Sequence, residues 1–111
     1  MVGGAAVEDT QLLKGILEGC VLAIIEEGET YGYDILSKLE EYGFEDIIEG
    51  TLYPVLTRLN NKGLISSRIG ISPLGPKRKY FSITEEGINW IKNFRESYKK
   101  ITRQAHKILF E

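Results

Sequence analysis

The sequence holds one cysteine, one histidine, one tryptophan and three prolines in 111 residues, and these scarcities close off several chemistries. A lone Cys20 forms no intrachain disulfide, which fits a reducing compartment and leads us to expect a cytoplasmic protein. One Cys and one His do not by themselves make a zinc site. His106 has no nucleophile or carboxylate at helical spacing, and the glycines occur singly rather than in a phosphate-cradling loop. The glutamates Glu26, Glu27 and Glu29 read as a solvated helix end rather than a metal site. We therefore expect neither an enzyme nor a cofactor. Apolar runs stay far short of the roughly 18–20 residues that span a bilayer. The opening MVGGAAVEDT has neither the basic nor the apolar region of a signal peptide.

The most informative absence is of negative charge. From Gly50 to Thr84 there is no Asp or Glu, while Arg58, Lys62, Arg68, Lys77, Arg78 and Lys79 give +6. Residues 1–49 carry twelve acids against two bases, so a net charge of −2 conceals a basic middle third. The sign pattern points to a polyanionic partner more than the total does.

Within that stretch lies GTLYPVLTRLNNKGL, residues 50–64. Leu52, Val55, Leu56 and Leu59 fall at i, i+3, i+4 and i+7, one apolar helix face. Tyr53, Thr57, Arg58, Asn60, Asn61 and Lys62 occupy the rest. Pro54 is expected in the first turn, which puts the helix start near Gly50 or Thr51, and Gly63 suits a left-handed stop. A short helix with such an outer face can lie in a DNA major groove. An ordinary amphipathic surface helix is the alternative.

Residues 1–9 read as a flexible N-terminus. Leu12, Leu13, Ile16, Leu17, Cys20, Val21, Ile24 and Ile25 then form a broad apolar stripe that ends at Gly28. Thr30 is a candidate N-cap for a second helix, with Tyr31, Ile35, Leu36, Leu39 and Tyr42 on its apolar side and Gly43 as its stop. Ile47 and Ile48 are expected to fill the corner before the third helix. Helix, short link and helix give the helix-turn-helix order. After Gly63 the period changes to 2: residues 64–69 and 78–83 read as strands around the turn-rich GISPLGPK, a basic-tipped hairpin or wing. Lys77, Arg78 and Lys79 would there reach a duplex backbone or minor groove; a solvated hairpin is the bland alternative.

Thr84 caps a last helix whose Ile91, Phe94, Tyr98, Ile101, Ala105 and Ile108 recur at alternating spacings of three and four, an a/d seam. The segment would span roughly 40 Å, more than a head of this size needs, so a partner chain is the expected cover. Ile88, Trp90 and Leu109 lie off the seam and can cover the head. The expected fold is mainly α with a small β-hairpin: a winged helix-turn-helix head over residues 10–83 and a C-terminal dimerisation helix over 84–111.

Four motifs together, LLKGILE (12–18), TYGYDI (30–35), GTLYPVLTRL (50–59) and GPKRKY (75–80), with Ile83, Thr84 and Gly87 after them, resemble the PadR family of bacterial transcriptional regulators, in its short form with one C-terminal helix. The resemblance implies a homodimeric repressor on an inverted-repeat operator, relieved by a small aromatic or phenolic effector. Carried over by position, Thr51, Tyr53, Thr57 and Arg58 would face the groove or its phosphates, and Lys77 and Arg78 would serve the wing. Trp90, Phe94 and Tyr98 would stack on a flat effector, as an alternative to plain dimer packing. The rival readings are a winged helix used as a protein–protein module and a small-molecule-binding protein without a DNA role.

Overall fold

The computed structural model describes the backbone of residues 2–71 and 73–111, and the side chains of residue 9 and of residues 11–71 and 73–111. Four helices and three short strands follow in the order α1 (Val2–Glu26), β1 (Thr30–Tyr31), α2 (Gly32–Glu41), α3 (Glu49–Asn61), β2 (Ile65–Ile71), β3 (Lys77–Ile83) and α4 (Glu85–Phe110). The helical backbone of α1 reaches back over the segment expected to be loose; of that segment, residue 1 and the side chains of residues 2–8 lie outside the described residues.

The core gathers around α1. Val21, Leu22 and Ile25 are essentially inaccessible to solvent, as are Ile35 and Leu39 of α2, Leu52 and Leu59 of α3, and Ile91 of α4. Each such side chain contributes about 1.5–3 kcal/mol by leaving water. The stripe read on α1 needs two corrections. Leu12 is exposed, because its level on the helix lies beyond the head, and Leu22, outside the stripe, is fully buried because α1 is surrounded by the other elements at that height.

The second helix starts later than expected. Thr30 is a strand residue, not its N-cap: β1 pairs with β3 through Thr30–Phe81 and Tyr31–Tyr80, and Tyr31 caps α2 without a side-chain bond. The Thr30 hydroxyl, freed from capping, donates to Asp34 Oδ2 at 2.7 Å. The sheet order β1-β3-β2 thus ties the wing hairpin to the front of α2. The strands of that hairpin run longer than the period-2 reading, with residues 72–76 between them and register pairs from Ile65–Ile83 to Ile71–Lys77.

Helix α3 begins at Glu49, so Pro54 is its sixth residue, one turn deeper than placed from sequence. The bond lost is to the carbonyl of Gly50, an exposed residue whose oxygen water can reach. Gly63, at φ +76°, ends α3 in the left-handed conformation, with Leu64 N–H donating to the Leu59 carbonyl at 3.0 Å. At the corner before α3, Ile47 packs on the core whereas Ile48 is exposed as the residue preceding the first turn.

Thr84 caps α4 as expected: its hydroxyl accepts from Gly87 N–H at 3.0 Å and donates to the Gly63 carbonyl at 2.7 Å. Of the seam residues, Ile91 is buried in the protomer's own core and is not at the surface, because the first two turns of α4 lie against the head. Trp90 and Phe94 pack half-buried on that core. Tyr98, Ile101, Ala105 and Ile108 stand uncovered, together with Leu109, which covers nothing.

Candidate nucleic-acid interface

Burial of Leu52, Val55, Leu56 and Leu59 turns the opposite side of α3 outward. Thr51, Tyr53, Thr57 and Asn61 are all exposed there, as the helical spacing requires. Tyr53 leans toward α2: a Cβ built on Gly32 would lie 2.6 Å from the Tyr53 hydroxyl. Gly32 therefore accommodates a side chain of the third helix.

The wing stands beside this helix. Lys77 and Lys79 share the strand face of Phe81, while Arg78 points to the other face, where its guanidinium lies 4.2 Å from the Tyr31 ring centroid. Tyr31, Gly32, Tyr53 and residues 77–79 line a groove of about 270 Å³ between the start of α2, α3 and the wing. Among the described residues, Lys77, Arg78 and Lys79 have no carboxylate partner. Their charge is free to meet phosphate.

The remaining cations of the basic stretch are paired. Arg58 Nε donates to Glu18 Oε2 at 2.7 Å and Lys62 Nζ to Glu18 Oε1 at 2.9 Å, joining α3 to α1. Burial raises the pKa of Glu18, but the hydrogen bonds from Arg58 and Lys62 outweigh it and hold the carboxyl below the ordinary range. Arg68 makes a two-pronged bond to Glu29, both contacts at 2.7 Å, and lies 4.7 Å from the Tyr80 ring centroid. Sequence reasoning missed Glu18, Glu29 and Tyr31. Each meets its partner across about 40 residues or more, where no local spacing rule operates.

On α4 the rings of Trp90, Phe94 and Tyr98 form a column, with centroids 5.3 and 6.2 Å apart. Phe94 also lies over Gly19 of α1, where any Cβ would strike its ring. Burial pushes the thiol of Cys20 up, consistent with a packing residue. No metal-holding group of His, Cys, Asp or Glu occurs among the described residues.

A helix-turn-helix with a basic wing and an exposed polar third helix is the architecture of winged-helix DNA-binding regulators. The transcriptional regulator PadR-like family model matches residues 21–93, and the chain belongs to that family. It is 40% identical to a PadR-like transcriptional regulator from Bacillus cereus, with a TM-score of 0.80 over 91% of this chain and 98% of that one. A Streptococcus transcriptional regulator is 42% identical, at a TM-score of 0.79 over 88% and 96% of the two chains. The Negative transcriptional regulator PadR of Bacillus subtilis is 32% identical over 74 residues, which is 65% of this chain and 41% of that protein. The chain thus matches less than half the length of that relative.

Proposed function

We propose that the protein is a homodimeric repressor that reads an inverted-repeat operator with α3 and grips the flanking phosphates with the wing. The observation that carries this reading is the juxtaposition of an exposed, hydrogen-bonding α3 face with three cations that no carboxylate among the described residues neutralises. Base edges would be read by Thr51, Tyr53, Thr57 and Asn61, and the backbone held by Lys77, Arg78 and Lys79. The negative role is supported by the printed name of the Bacillus subtilis relative. Dimerisation is supported by the uncovered apolar side chains of Tyr98, Ile101 and Ile108 on the overhanging end of α4. Against a protein–protein module stands the α3 face itself, which is neither apolar nor acidic.

A small aromatic effector would stack on the exposed ring of Tyr98 at the open end of the aromatic column. The single tryptophan, two rings away, would report it by a change in fluorescence.

The test of the main reading is a fluorescence-anisotropy titration with duplex DNA from upstream of the protein's own gene, at two salt concentrations and with unrelated competitor. Tight, salt-sensitive binding that survives competitor is expected. Absence of binding at both salts would overturn the reading.

A further inference from the structure

Glu18 lies on α1, outside the helix-turn-helix, yet it takes the two cations of α3 at once. Their side chains are 52% and 48% exposed against 18% for the carboxylate, so Arg58 and Lys62 roof it over. The bond to Arg58 uses Nε, and its two terminal nitrogens have no partner among the described residues. Lys62 is held a second time, 5.7 Å from the Trp90 ring centroid. The interface is therefore built in two electrostatic halves: Lys77, Arg78 and Lys79 of β3, without a carboxylate partner among the described residues, and the compensated Arg58 and Lys62 of α3.

Nonspecific attraction to a duplex scales with the number of cations that replace counterions on phosphates. A cation already shared with a carboxylate gains less from a phosphate that arrives at random. It still donates to a group placed where its free N–H bonds point, and the Nε contact fixes that direction. We propose that Glu18 is a specificity-determining positioning residue, which suppresses indiscriminate phosphate binding by Arg58 and Lys62 while aiming Arg58 at the operator. This rests on the DNA-binding reading above.

The experiment compares wild type, Glu18→Gln and the control Glu27→Gln, which removes the same charge from a pair with Lys38 elsewhere on the head. Each is titrated with an operator duplex and a scrambled duplex of equal length across a salt series, after its thermal melt confirms folding. Glu18→Gln is expected to bind the scrambled duplex roughly threefold or more tightly at low salt, with a log–log salt slope steeper by about one per protomer. Operator affinity rises less, so the specificity ratio falls. Adding Lys62→Gln to Glu18→Gln moves the slope back toward wild type. If Glu18→Gln does not fold, Glu18→Ala is read by the same criteria.

Unchanged slope and ratio in a folded Glu18 variant would overturn the proposal, as would the same effect from Glu27→Gln, which would reduce it to bulk charge. A wild type that binds neither duplex defeats the functional reading itself. That result is distinct from a wild type that binds and a variant that matches it.

Discussion

Gly87 sets how closely α4 approaches the rest of the head. Its position in the first turn brings it against Leu64, and a Cβ there would collide with that residue's backbone carbonyl. Unlike a side chain, this backbone oxygen, just before β2 and held by the Thr84 N–H at 3.1 Å, has nowhere to rotate. Gly87→Ala is expected to cost on the order of 1–3 kcal/mol. In a domain of this size each kcal/mol lowers Tm by about 4–8 °C, so a thermal melt decides the matter. The wing lysines carry a different kind of expectation. Lys77→Ala with Lys79→Ala should leave Tm nearly unchanged, weaken binding to all duplexes alike and flatten the salt slope by about two per protomer. A slope that does not move would take those residues off the phosphates.

The link between α1 and α3 gives a pH dependence whose sign follows from Glu18. Its folded pKa is lowered, so its contribution is complete above the unfolded carboxylate value, roughly 4.3, and is lost as pH falls through the folded value. Wild type and Glu18→Gln should therefore differ in stability, measured by urea unfolding, by less than about 1 kcal/mol at pH 7, and converge as pH falls through the folded value. A difference that persists in acid would assign the effect to packing rather than charge. That link also marks what sequence could and could not convey about the elements. Buried positions of α3 and the cap of α4 were legible because both depend on neighbours within a turn or two. Strand β1 was not, since two residues have no measurable period and their partners lie about fifty positions on, at Tyr80 and Phe81. The basic stretch was legible as composition, but its division into free and compensated cations depends on where Glu18 and Glu29 come to rest.

The molecule measures 53 × 35 × 22 Å, and the far end of α4, with Ile101, Ile108 and Leu109 exposed, outruns its own head. Ile101, 58% exposed, sits in that overhang, and Ile101→Asp is expected to leave the head folded while converting the proposed dimer to monomers by sedimentation velocity. Operator affinity should fall with it, because a monomer loses the second half-site. A dimer that survives the charge would place the joint elsewhere. The hydroxyl of Thr84 then acquires a geometric meaning. It fastens the first turn of α4 to the carbonyl of Gly63, the left-handed residue just past α3, so it fixes the angle between the proposed reading helix and a lever about 39 Å long. A change of about 10° at that pivot would carry the far end roughly 7 Å, or two base-pair steps of about 3.4 Å. Thr84→Ala should accordingly leave the preferred bases of each half-site alone and relax the tolerated spacer between half-sites, which a panel of operators with inserted and deleted base pairs would measure. In the proposed dimer the letters of the operator belong to α3, and the ruler that separates them is calibrated by one hydroxyl group.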